Sequence, residues 1–176
     1  PCILHTIHGY GVTPAQPFWQ QKAFIALERM VGRVTTHWIA VSHADRRQGI
    51  EWGLFTASKV SVVRPGIDPT VFAARIEGSE RDRLRAMLGV GPDQLLVGTV
   101  SCLKPQKSPE DFVRVARLVC QRVPAARCVL VGDGVLRPQI EALLQAHGLQ
   151  ERVTLLGWRR DVAALLKAFD VFVLTS

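Results

Sequence analysis

The chain has 176 residues, 48% of them hydrophobic and 21% charged, with a formal net charge of +7. That composition fits a globular protein of one or two modest cores and excludes a disordered chain. The positive excess is spread over both halves with no block of like charge, which argues against a dedicated nucleic-acid tail. None of the four cysteines, Cys2, Cys102, Cys120 and Cys128, forms a C-x-x-C pair. A zinc or thioredoxin-type site is therefore not expected, and a reducing compartment is the default. No stretch reads as a transmembrane helix or a signal peptide.

ILHTIHG (3–9) is β-branched and apolar before a glycine, a strand signature. In the segment 17–34, Trp19, Ala23, Leu27, Met30 and Val34 recur at helical steps and mark one face. HWIAVS (37–42) reads as the next strand. Ser42 with Asp45 forms a capping box that opens a helix ending at Gly53. KVSVVRPG (59–66) reads as a strand followed by a type II turn at Pro65-Gly66. The charged, turn-rich stretch 73–93 is the expected domain boundary, with a short exposed helix near 80–88.

A regular alternation begins at residue 95. LLVGTV (95–100) is a strand. Residues 108–123 form a helix capped by Ser108 and Asp111, with Phe112, Ala116 and Val119 inward. RCVLVGDG (127–134) is a strand and glycine turn, and 136–147 a helix stopped by Gly148. RVTLLG (152–157) is a strand, Asp161 caps a further helix, and DVFVLTS (170–176) is a last strand. Alternation with continuous apolar strands implies parallel sheets covered on both faces. The expectation is α/β, with two Rossmann-like domains over 1–75 and 76–176. A strand under way at the start and another at the close suggest a piece of a larger protein, with both domains incomplete.

In such sheets ligands bind beyond the carboxyl ends of the strands. The loop after Val100 carries Cys102 and Lys107 ahead of a helix start, a combination suited to a phosphate. A lone loop lysine is, by itself, more often merely solvated. The GDG turn at 132–134 permits close backbone approach but does not complete G-x-G-x-x-G, so an NAD site is poorly supported. Gly157 and Trp158 in GWRRD could meet a flat heterocycle, and a capping loop accounts for them as well. His8 stands at the tip of the first strand, where a histidine is either structural or functional.

The order of these signals is more specific than any one of them. VGTVSCLKPQKSPEDF, VLVGDGVLRPQIEALL, GLQERVTLLGWRRDVAALL and DVFVLTS resemble the nucleotide-sugar half of the GT-B glycosyltransferases of the retaining family four. HTIHGYG, ALERMVGRVTTHWIAVS and VSVVRPGIDPTVF resemble the second half of that family's acceptor domain and its hinge.

The resemblance implies transfer of a sugar from a nucleoside diphosphate sugar to an acceptor hydroxyl with retention of configuration, in polysaccharide or glycolipid synthesis. It assigns Lys107 to the donor diphosphate beside the Ser108 helix start. Gly132, Gly134 and the Trp158–Arg159 loop shape the nucleotide pocket, and His8 lies near the transferred sugar. The family usually carries an arginine where this chain has Cys102; either this branch holds the phosphate with fewer charges or the nearby Lys104 takes over part of the task. The family's glycine-rich acceptor loop would precede residue 1, and its Glu-x7-Glu segment would come after Ser176.

The resemblance further implies no cofactor beyond the donor substrate, no metal clamp, no nucleic-acid partner, and a glycan or lipid-linked acceptor. A cytoplasmic site at the inner membrane face is compatible with the basic surface. A GT-B nucleotide-sugar epimerase and a non-catalytic nucleotide-sugar-binding module are the alternatives.

Overall fold

A computed structural model describes residues 2–13, 16–73 and 77–176. The chain divides into two compact units, residues 1–67 and 68–176, each with its own sheet and core. The expected boundary at 75/76 lies outside the described residues. The units part earlier because the short helix α3 (Pro69–Ala73) packs with the second unit, against its last helix, α7 (Val162–Ala168).

The first unit holds a three-stranded parallel sheet, order β1 (Leu4–Ile7), β2 (His37–Ala40), β3 (Val60–Val62). Helices α1 (Phe18–Val34) and α2 (His43–Glu51) make the crossovers. Trp38 is the centre of its core, fully buried, stacked on His5 with ring centroids 4.2 Å apart and tilted against Phe55 at 5.0 Å. The expected cap at Ser42 is present: its hydroxyl accepts the Asp45 N–H at 3.0 Å and donates to the Asp45 carboxylate at 2.5 Å.

The face of Trp19, Leu27, Met30 and Val34 is helical as predicted; it is exposed, and α1 buries no residue. Periodicity identifies which residues share a face, whereas the neighbour that covers it is a tertiary matter. Gly66 has no positive φ, and residues 63–68 form no turn, so the type II turn at Pro65-Gly66 is absent. The segment instead runs irregularly into α3.

The second unit holds a four-stranded, all-parallel sheet in the order β6 (Val153–Gly157), β5 (Ala126–Val131), β4 (Leu95–Val100), β7 (Val171–Phe172). Alternate residues of its strands feed two cores. Val97, Cys128 and Leu130 pack under α5 (Pro109–Arg122) and α6 (Arg137–Ala146) with Phe112, Ala116, Ile140 and Leu144. Leu96, Val129 and Val131 pack on the other face with Leu165, Ala168 and Phe169 of α7 and its C-terminal end.

Helix α4 (Gly78–Met87) reads as exposed in the sequence, but Arg85 is only 4% exposed. Its guanidinium reaches Asp170 at 2.9 Å and the Ala168 carbonyl at 3.1 Å, and also donates to the Gln94 carbonyl. A charged helix reads as solvated in sequence because the partner carboxylate is remote along the chain.

Chain order reverses at β4. The path steps outward through β5 and β6, then returns to place β7 on β4's other side. A parallel sheet opens a crevice beyond its carboxyl edge at such a switch point. Among the described residues, no helix is long and apolar enough to cross a membrane, and no group of three or more His, Cys, Asp or Glu is placed to hold a metal.

Candidate functional site

A cavity of about 290 Å³ lies at the carboxyl edge of the second unit's sheet. Its walls come from the segments just past the strand ends. The loop after β4 brings Cys102 and Lys107, the turn after β5 brings Gly132, and the loop after β6 brings Trp158 and Arg159. Leu174, beyond β7, and Val162, at the start of α7, complete an apolar side.

Of the residues singled out in the sequence, five therefore share one cavity: Cys102, Lys107, Gly132, Trp158 and Arg159. Ser108 and Gly134 adjoin it without lining it. Lys104 is exposed and also outside the lining. His8 belongs to the first unit, exposed just past β1 and next to Gly9 with φ +121°.

The loop after β4 is laced to the turn after β5. Ser101 N–H donates to Val131 C=O at 2.9 Å, Leu103 N–H to Asp133 C=O at 3.0 Å, and Leu136 N–H to Leu103 C=O at 3.0 Å. Two glycines make that approach feasible. A Cβ on Gly132 would stand 2.1 Å from the Ser101 carbonyl oxygen, and one on Gly134 would stand 2.5 Å from that of Leu103. Gly132 also has φ +128°, a conformation that side chains rarely adopt. Gly134 thus serves the packing of the loop rather than the cavity wall.

Ser108 departs from its expected role. It has φ 43° and ψ 54°, the only non-glycine with positive φ among the described residues, and its side chain makes no cap hydrogen bond. Asp111 N–H bonds instead to the Ser108 carbonyl at 3.0 Å, and the Asp111 carboxylate pairs with Arg114. A left-handed serine costs on the order of 1 kcal/mol and persists only where its surroundings hold it. The Ser108 N–H donates to the Pro105 carbonyl at 3.1 Å, and the Oγ1 of Thr175 lies 3.1 Å from both the Lys107 and the Ser108 carbonyl oxygens. Nothing in local sequence spacing indicates this contact between residues 67 and 68 positions apart.

Two cations reach the cavity. Lys107 has no carboxylate partner among the described residues, whereas Arg159 is held by Asp161. That pair also replaces the expected helix cap. The Asp161 side chain caps no N–H, and Arg159 engages both of its oxygens, at 2.8 and 2.6 Å. The hydrogen bond from Arg159 holds the Asp161 carboxyl below its ordinary range and raises the guanidinium further. Trp158, 74% exposed, offers its indole at the rim. A concave apolar wall, a flat aromatic group and an uncompensated cation suit a planar, anionic ligand.

The fold and site therefore define an α/β protein with a crevice at the carboxyl edge of a parallel sheet, the edge at which such sheets take ligands. Comparison with known proteins narrows the class. Residues 80–176 match the family model described as "Glycosyl transferases group 1".

The whole chain is 32% identical over 179 aligned positions to the UDP-Gal:alpha-D-GlcNAc-diphosphoundecaprenol alpha-1,3-galactosyltransferase of Escherichia coli, covering 46% of that protein. A D-inositol 3-phosphate glycosyltransferase of Nocardia farcinica is 32% identical, over 88% of this chain and 36% of its own length. Among solved structures, Anabaena HepE in complex with UDP and glucose superposes with a TM-score of 0.78 at 26% identity, over 99% of this chain and 46% of that one.

The chain belongs to the group 1 glycosyltransferases, of GT-B fold. It spans about half the length of the curated relatives it matches.

Proposed function

We propose that the cavity of the second unit takes the nucleoside diphosphate of a sugar donor, a UDP sugar, and that the protein transfers the sugar with retention to an acceptor hydroxyl. The acceptor class that fits is a lipid-linked glycan, in polysaccharide or glycolipid synthesis. Support for the donor comes from the relatives, one named for UDP-Gal and one crystallised with UDP and glucose. The observation that carries the reading is Lys107, the uncompensated cation in a cavity whose far side presents Trp158 and Arg159.

In this reading Lys107 lies on the diphosphate, and the Gly132 turn and the Trp158–Arg159 loop take the nucleoside. As the glycosidic bond breaks, negative charge grows on the leaving diphosphate. A cation fixed beside it stabilises that charge more in the transition state than in the ground state. The position beside the transferred sugar that the resemblance gives His8 is part of the same proposal.

Nucleoside diphosphate release is the test. Lys107→Ala should lower turnover by about two to three orders of magnitude, and near-normal turnover would remove Lys107 from this role. A second reading, donor binding without turnover, is favoured by Cys102, which stands where the family usually has an arginine. It predicts UDP-sugar binding with no product under any acceptor, and sugar exchange in a radiolabelled donor assay would rule it out.

A further inference from the structure

We infer that Thr175 is a positioning residue for the donor diphosphate, acting through Lys107; this rests on the reading of the cavity given above. The switch point of the sheet puts the segment after β7 beside the loop after β4. There the Thr175 hydroxyl lies 3.1 Å from the carbonyl oxygens of both Lys107 and Ser108. A hydroxyl within reach of two successive carbonyls ties together the two peptide planes that meet at the Ser108 Cα, and so restrains the φ and ψ of that residue.

The first of those planes, which carries the Lys107 carbonyl, bears on where the Lys107 side chain points. Lys107 ends a short 3-10 turn (Pro105–Lys107) and Ser108, in the left-handed conformation, reverses the chain into α5. Relaxation of Ser108 toward the ordinary right-handed or extended region would rotate the Lys107 carbonyl and with it the Cα–Cβ bond that aims the ammonium. No side chain of the loop itself holds the left-handed state, since the Ser108 hydroxyl makes no capping bond. The Thr175 hydroxyl is the side-chain contact that adds to the backbone bonds from Ser108 N–H to Pro105 C=O and from Asp111 N–H to Ser108 C=O, and its neighbour Leu174 lines the same cavity. Thr175 thus touches no ligand, and it sets the geometry of a residue that does.

The test compares UDP with uridine, which lacks the phosphates, by titration calorimetry on the full chain carrying Thr175→Val, Thr175→Ser or Lys107→Ala. Thr175→Val keeps the branched shape and deletes the hydroxyl. It should weaken UDP binding by about five- to tenfold, the scale of one hydrogen bond, and leave uridine binding unchanged. Thr175→Ser should restore UDP affinity. In the Lys107→Ala background, Thr175→Val should add no further loss, because its effect passes through the lysine.

An equal loss for UDP and uridine would mark a merely structural role and overturn the inference, as would an additive loss in the double variant. If Lys107→Ala weakens UDP binding and Thr175→Val does not, this inference alone fails. If Lys107→Ala leaves UDP binding intact, the reading of the cavity fails and Thr175 loses its role with it.

Discussion

Arg159 and Asp161, two positions apart at the mouth of the cavity, form a two-pronged ion pair with contacts of 2.8 and 2.6 Å. The pair turns a flexible arginine into a fixed plane. Both partners face solvent, so its effect on stability is small and screened. Its consequence lies in the site: Asp161 restrains the guanidinium beside Trp158, where the nucleoside would enter.

Asp161→Asn should therefore leave the melting temperature within a degree or two, about the effect of an exposed pair, yet weaken uridine and UDP by the same factor, about three- to tenfold. Calorimetric titration measures both. A loss confined to UDP would place Arg159 on the phosphates instead.

The ion pair under α4 behaves differently because its Arg85 partner is buried. Burial by itself would push the Asp170 carboxyl up. The Leu96 N–H at 2.7 Å, with Arg85 at 2.9 Å and Arg81 at 2.7 Å, outweighs it and holds the group below its ordinary value of 3.8. A carboxyl depressed in the folded state contributes stability above 3.8 and loses it as pH falls through the lower folded value. Asp170→Asn should cost about 1–3 kcal/mol near neutral pH. In urea unfolding, the gap between variant and parent should narrow as the pH is lowered well below 3.8. A gap independent of pH would mean that the carboxylate's charge contributes nothing.

Gly132→Ala tests the close approach of the two loops. The added Cβ meets a backbone oxygen, which cannot swing aside as a side-chain tip could, and φ +128° strains any L residue. A loss of about 2 kcal/mol or more is expected. UDP affinity should fall as well, because Ser101 is the neighbour of Cys102 in the cavity wall. Thermal unfolding and UDP titration check the two parts. An unperturbed melting temperature would show that the loops can part at little cost.

Much of the second unit is legible from residues alone. Continuous apolar runs such as LLVGTV and RCVLV identify strands buried on both faces, and Phe112, Ala116, Ile140 and Leu144 fall inward as their spacing requires. The loops that carry the cavity are those named by the rule that parallel sheets bind at their carboxyl edge. Cys102, Lys107, Gly132, Trp158 and Arg159 stand out in the sequence for that reason, since each lies just past a strand.

Expectations fail where local chemistry is overruled at a distance. Ser108 and Asp161 sit where helix caps belong, but Thr175 holds the backbone of one and Arg159 occupies the carboxylate of the other. Gly134 makes room for the Leu103 backbone of the neighbouring loop, a contact its own turn does not announce. Arg85 reads as a surface charge until Asp170, 85 residues away in sequence, is placed against it.

Periodicity, caps and strand ends are properties of neighbours along the chain, so sequence alone determined the α/β alternation and the loops able to carry a site. Which side chain fills a given hydrogen bond depends on groups brought together only when β7 returns beside β4. That pairing, decided by the tertiary structure, puts Thr175 against Lys107 and closes the cavity with Leu174.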